Sequence, residues 1–234
     1  MLSKQGACSR SQAEQWIRDG RVALEGRVVR DPQHPVVAAA AARITVDGHP
    51  LAPAERVYVM LNKPRGVVVS ASDERGRETV YGALAAAGLP WLGPVGRLDK
   101  ASEGLLLLSN DTGWAAGITD PATHRAKTYH VQVDRVPDAQ LMARLRAGVL
   151  DRGEHLVARR VELLRAGEKH AWLEIVLDEG RNRHIRRLLA AHDVGVLRLL
   201  RVAIGPLVLG ALAKGQWRHL ETREVQALMV ERRP

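Results

Sequence analysis

GRLDKASEGLLLLSND, residues 96–111, is the stretch whose reading decides the fold. Its apolar run, Leu105 to Leu108, is short, unbroken and bounded by turn signals, which predicts a strand buried on both faces. The charged turn ahead of it, Arg97-Leu98-Asp99-Lys100, carries the Asp99 carboxylate to the edge of a core between two cations in sequence. A carboxylate so placed suits a nucleophile or a base. By itself it suits equally well a turn cap that salt-bridges its neighbours, since ion-pair networks and functional sites look alike locally.

Working outward, the strand expected next is Lys127–Val133, in which Tyr129, Val131 and Val133 alternate with Thr128, His130 and Gln132. A capped helix is expected over Asp138–Ala147, closed by Gly148. A further strand over His170–Asp178 delivers the chain to Glu179-Gly180 and a basic helix, Arg181–His192. On that helix Arg183, Arg186 and Arg187 are neighbours, while Ile185, Leu188 and Leu189 face inward. Val196–Ile204 reads as a strand bearing Arg198 and Arg201, Thr112–Ile118 as one or two helical turns, and Thr222–Val230 as a closing helix. Before the opening stretch, Val57–Leu61 and Val67–Val69 read as two arms of a hairpin around Asn62-Lys63-Pro64-Arg65-Gly66, with Lys63 and Arg65 at its tip. Ser70–Glu78 (SASDERGRE) reads as a charged loop suited to touching RNA, and Thr79–Ala87 as a short Ala-rich helix.

The N-terminal part has a different texture. Ser9 with Gln12 makes a capping box, followed by Ala13, Trp16 and Ile17 at helical spacing and Gly20 as a stop. Val22–Leu24 and Arg27–Val29 form a hairpin about Glu25-Gly26, and Ile44–Val46 leads to Asp47-Gly48. GHPLAPAER (48–56) has two prolines and no periodicity. The expected division is therefore a module over 1–48, a linker over 49–56 and a main domain over 57–234.

Composition bounds the chemistry. The 234 residues are 46% hydrophobic and 26% charged but only 3% aromatic, with no Phe, so the core must come from Leu, Val, Ile and Ala. Lys+Arg number 35 against 26 Asp+Glu, a net charge of +9, and the pI is near 10.4. That excess points to a polyanionic partner, nucleic acid first among them. Cys8 is the only cysteine, which excludes an intrachain disulfide or a cysteine metal cluster. The histidines show no metal-ligand spacing, and HExxH, P-loop and GxGxxG patterns are absent. No stretch has the length of a membrane span, and MLSKQGACSRS lacks the apolar core of a signal peptide, so a cytoplasmic protein is expected.

GACSRSQAEQWIRDGRVALEGRVV, residues 6–29, resembles the S4 RNA-binding domain, with Ser9, Arg10, Arg18 and Arg21 on the stretch that faces RNA in that family. The family has a further helical turn ahead of Leu2, and against it this copy reads as N-terminally clipped. Five motifs in order (NKPRG at 62–66, the opening stretch, KTYHV at 127–131, EGRNRHIRRLL at 179–189 and RLLRVAIG at 198–205) resemble the pseudouridine synthases, most closely the RsuA-type branch that modifies ribosomal RNA. The resemblance implies an α+β fold: a small S4-like α/β module, then a catalytic domain whose large, mostly antiparallel bent sheet is flanked by helices. It implies Asp99 as catalytic aspartate, Tyr129 stacking on the target base and aiding proton removal, and Arg186 paired with Asp99. Leu199 would pack beside Tyr129, and Arg97 would be the wedge that displaces the base. Lys63, Arg65 and Arg187 are held as general phosphate contacts, and Arg183 as a substrate-binding residue. His184 stands where the family often has Gln. No cofactor or metal is implied, since isomerising uridine to pseudouridine involves no redox change or group transfer. The expected partner is structured ribosomal RNA with an unstacked uridine, bound by a monomer, and EGRNR and RLLRVAIGPL are closer to the large-subunit members. The competing expectation is a non-catalytic S4-type RNA-binding or ribosome-assembly factor. A ribosome-associated structural protein is disfavoured by the motif-bearing second domain.

Overall fold

A computed structural model describes residues 1–51, 54–71 and 76–229. The N-terminal module holds helix α1 (Arg10–Arg18) and strands β1 (Val22–Leu24), β2 (Arg27–Val28), β3 (Ile44–Val46) and β4 (His49–Pro50) in the sheet order β2-β1-β3-β4. The Ser9 hydroxyl caps α1 by accepting from Gln12 N–H at 3.1 Å. Glu25-Gly26 and Asp47-Gly48 both take positive φ (53° and 78°, 50° and 81°), the conformation that two-residue hairpin turns need. The second of these turns makes β4, so the small sheet runs to Pro50, two residues into the stretch expected to be linker.

The main domain continues with β5 (Tyr58–Lys63), β6 (Gly93–Val95), β7 (Glu103–Ser109), α2 (Thr112–Thr119), β8 (Lys127–Val133), α3 (Ala139–Ala147), β9 (Val149–Asp151), β10 (Glu154–Leu156), β11 (Arg160–Ala166), β12 (Ala171–Leu177), α4 (His184–Ala190), β13 (Val196–Ile204), β14 (Leu207–Val208), β15 (Trp217–His219) and α5 (Thr222–Ala227). A nine-stranded sheet has the main path β11-β12-β8-β13-β7-β5-β15, with β6 on β7 and β14 on β13, while β9 and β10 form a separate hairpin. Within that sheet the pairings are antiparallel except β13 on β7, which is parallel and joins only Leu200 to Glu103 and Arg201 to Gly104.

Every residue of β7 is buried. Leu106 and Leu108 enter the larger core, with Leu188 and Leu189 of α4 and Leu141 and Leu145 of α3. Leu105 and Leu107 enter the smaller one, with Trp114 and Ile118 of α2 and Leu228. The leucine run is unbroken because both faces of the strand are covered, as the opening stretch led us to expect.

Three expectations need correction. Val67–Val69 is not the return arm of a hairpin: β5 is already flanked by β7 and β15, so no edge is left for it. Val68 instead makes an isolated parallel bridge to Thr79. That bridge uses the backbone of 78–80 (Val68 N–H to Glu78 O, Val80 N–H to Val68 O), and only one short turn, Gly82–Leu84, is left of the helix expected over Thr79–Ala87. The basic helix begins at His184 rather than Arg181, because Arg183 has φ +48° and breaks the helical run. The loop expected over Ser70–Glu78 lies partly outside the described residues (72–75), as does the end of the closing helix at Val230.

Gly104 sets how closely β7 and β13 can approach. Its φ is +100°, and a Cβ would stand 2.3 Å from Arg201 O, a backbone atom that cannot swing away. Gly153 also has positive φ (+77°), but a Cβ there meets nothing within 4 Å. Gly104→Ala is expected to cost about 3 kcal/mol or more, combining backbone strain with overpacking, and Gly153→Ala about 1 kcal/mol from strain alone. Urea denaturation of the two variants measures the difference, and equal losses would show that the strand contact is not tight.

Candidate active site

The loop between β6 and β7 is fixed from several sides. Asp99 O accepts from Ser102 N–H at 3.0 Å, and Gly66 N–H donates to Lys100 O at 2.8 Å. Arg186 Nη2 donates to Ala101 O at 3.2 Å. From beneath, Lys63 Nζ donates to Ser102 O at 2.8 Å and Pro64 O at 3.0 Å. Lys63 is 0% exposed, so it is a buried support rather than a turn-tip cation reaching for phosphate. Burial lowers its pKa to about 8, although Glu103 and Asp99 both favour the charged form. Arg65 stays exposed, with Nη1 3.3 Å from Leu197 O.

The loop holds Asp99 over a cleft of about 720 Å³ whose lining includes Arg97, Tyr129, Arg183, Arg186 and Leu199. The Asp99 side chain is 37% exposed, and its ion-pair partner is Arg183, whose Nη1 lies 3.7 Å from Oδ2. Arg186 was expected in that position. It forms no ion pair with Asp99 within 4.0 Å and grips the loop backbone instead. It still feels the carboxylate: burial and Arg183 lower the Arg186 pKa, and Asp99 raises it. The left-handed backbone at Arg183 turns that side chain toward the loop, one turn ahead of Arg186. Tyr129 and Leu199 are the nearly buried floor (9% and 6% exposed), and Arg97 is exposed at the rim.

Arg187 points elsewhere. It binds Asp151 and Glu154 and so ties α4 to the β9–β10 hairpin. With two carboxylates already on its guanidinium it is a structural clamp, which corrects its expected role as a phosphate contact. His184 is buried, with Nδ1 3.7 Å from Glu179 Oε1, and burial lowers its pKa. In the N-terminal module Arg18 pairs with Glu14 at 3.3 Å, and Arg21 pairs with Asp47 and lies over the Trp16 ring. Exposed pairs of this kind contribute little to stability. Arg10 is exposed beside the Ser9 cap. Among the described residues no group of three or more His, Cys, Asp or Glu side chains is placed to hold a metal ion.

Residues 57–191 match the family described as RNA pseudouridylate synthase, and residues 1–39 match the S4 domain. The chain belongs to the RNA pseudouridylate synthase family. It is 34% identical over 232 residues to ribosomal large subunit pseudouridine synthase B of Bacillus subtilis, covering 97% of this chain and 93% of that one. To ribosomal large subunit pseudouridine synthase E of Xanthomonas campestris it is 42% identical over 187 residues, 73% of this chain and 98% of that one. A crystal structure described as pseudouridylate synthase superposes with a TM-score of 0.67 at 31% identity, over 97% and 96% of the two chains. As a pseudouridine synthase the chain is an isomerase that converts uridine to pseudouridine in RNA.

One residue that supports this synthase's cleft escaped the sequence reading. Glu103, at the head of β7, is 1% exposed and accepts from Arg198 Nε and Nη2, each at 3.0 Å, while Lys214 Nζ lies 2.7 Å away. The only signal was an acid opening an otherwise apolar strand. Burial pushes its pKa up, but the hydrogen bonds from Arg198 and Lys214 outweigh that and bring it down from 4.5 to about 2. A depressed folded-state pKa gives stability that is present above the unfolded value and is lost as pH falls through the folded one. Glu103→Gln is therefore expected to cost about 2 kcal/mol at pH 7, and the gap to wild type should narrow between pH 4.5 and about 2. Denaturation curves across that range check it; a gap that does not change with pH would mean the carboxylate charge contributes nothing.

Proposed function

We propose that the chain isomerises a uridine of large-subunit ribosomal RNA, with Asp99 as the reacting carboxylate. The observation that carries this reading is the convergence of Asp99, Tyr129, Arg186 and Leu199 on one basic cleft. The reaction breaks the bond from N1 of the base to C1′ of the sugar, turns the base, and forms a bond from C5 to C1′. The proton lost from C5 is balanced by one gained at N1. Asp99 acts as covalent or electrostatic partner to the detached fragment. Arg183 supplies the positive charge nearest to Asp99, and Arg186 fixes the position of its loop. Tyr129 receives the base and takes part in removing the C5 proton, and Leu199 packs beside it. The uridine must leave its stack to enter, and Arg97 at the rim fills the gap it leaves.

Arg65 meets RNA outside the cleft and Arg183 meets it within the lining, and Ser9, Arg10, Arg18 and Arg21 grip structured RNA from the S4-like module, expected to span 1–48. The large-subunit assignment is supported by the two bacterial relatives that bear that name. The reading places the chain in the cytoplasm as a monomer.

The test is to map pseudouridines by carbodiimide modification and primer extension in large- and small-subunit RNA treated with each protein. Asp99→Asn is expected to lower product by at least about a thousandfold while RNA affinity stays within a few-fold of wild type. Product from the variant would remove Asp99 from the chemistry, and a mark confined to small-subunit RNA would overturn the substrate. A silent Asp99→Asn, with all function lost on deleting residues 1–48, is the result expected of a non-catalytic binding factor.

A further inference from the structure

The cleft holds further cations that none of the roles above uses. Its lining also includes Ile118, Thr119, Pro121, Lys127 and Arg201. Arg201 is 5% exposed, and Arg125, outside the lining but joined to Lys127, is 6% exposed. Arg201 Nε donates to Leu105 O at 2.8 Å, and Lys127 Nζ donates to Arg125 O at 2.8 Å. Arg201 Nη2 and Arg125 Nε are buried with no hydrogen-bond partner. Among the described residues none of the three cations is in an ion pair. Asp178, whose field reaches Lys127, is already paired with Arg159 at 3.2 Å. Burial lowers the Lys127 pKa, and Arg201 and Arg125 push it the same way.

Gathering two buried cations and a half-buried one without an anion is unfavourable both by desolvation and by mutual repulsion. The surrounding backbone makes room for it: Arg125 lies against Gly205, where a Cβ would come 3.2 Å from Nη1. An anion among these groups would take up the unused donors and cancel the repulsion. The distance to the catalytic groups suggests which anion. Arg201 is the cross-strand partner of Tyr129. Lys127 is two residues before Tyr129 on the same face of β8, roughly 6.6 Å along the strand. A base seated on Tyr129 has its sugar between it and a backbone phosphate, which spans about that length.

We propose that Lys127 and Arg201, with Arg125 behind them, form a phosphate subsite that holds a backbone phosphate of the target uridine. It rests on the reading of the cleft as the uridine site. It separates the work of the cleft's cations, with Arg183 and Arg186 serving the Asp99 loop and Lys127 and Arg201 fixing the nucleotide's backbone.

Uridine and uridine 3′,5′-bisphosphate, titrated calorimetrically into the full chain, test it without any variant. The bisphosphate should bind at least about tenfold tighter, as one charge-assisted contact predicts. Equal affinities overturn the subsite. Lys127→Met keeps the aliphatic stem and should lose about tenfold for the bisphosphate while leaving uridine unchanged, and Lys127→Arg should restore it. A loss shared equally by both ligands would mark Lys127 as structural and overturn the proposal. With ribosomal RNA, Lys127→Met should raise KM about tenfold and leave kcat within twofold, and an unchanged KM counts against it. If the wild-type chain makes no pseudouridine, the proposed function fails, and the nucleotide titration still decides the subsite by itself.

Discussion

The parallel contact of β7 with β13 is the constraint on which the rest of the structure depends. It is two residue pairs long, and it joins two antiparallel halves, β15-β5-β7 with β6 on one side and β13-β8-β12-β11 on the other. Asp99 is carried by the first half. Tyr129, Leu199, Arg183 and Arg186 are carried by the second. The distance from Asp99 to Tyr129 and Leu199 is therefore set where Gly104 lets the Arg201 backbone come close. The Glu103 ion pairs with Arg198 and Lys214 tie across the same place. A small displacement there would move these cleft-lining groups apart without touching any of them, and in an enzyme a misplacement of about 1 Å can cost roughly a hundredfold in rate.

Charge is distributed in the cleft by function as well as by sign. Arg187 and Arg198 are committed to carboxylates and hold secondary structure together. Arg186 is committed to a backbone carbonyl of the Asp99 loop. Arg97 and Arg65 stay exposed, where long-range attraction to RNA costs little desolvation. Lys63 shows why type and position have to be read together. Its ammonium is buried beneath the Asp99 loop and donates to two carbonyls, so a residue that looks like a phosphate ligand in sequence supports that loop instead.

Much of this was legible in the chain, and the errors have specific causes. Strands β7, β8, β12 and β13 and helices α1 and α3 stand where periodicity and capping residues placed them, because those signals are local. The hairpin expected at 57–69 failed because a strand's partner is chosen by the whole sheet: β7 and β15 come from 40 and more residues away and occupy both edges of β5. The Ala-rich helix failed because a single bridge from Val68 claimed the backbone it needed. Arg183, rather than Arg186, stands nearest Asp99 because a left-handed residue starts α4, and no helical wheel anticipates that.

The sequence by itself determined the division into a basic module and a larger α+β domain. It determined the buried leucine strand, and its five ordered motifs resemble the family to which the chain belongs. Those follow from composition, period and short-range pattern, which do not depend on what packs where. Only the tertiary structure decided which cations face the cleft, which are tied up in ion pairs, and which are buried without a partner. Those properties come from contacts between residues such as Lys127 and Arg201 or Glu103 and Lys214, far apart in the chain and brought together by packing, where burial rather than identity sets what a charge can do.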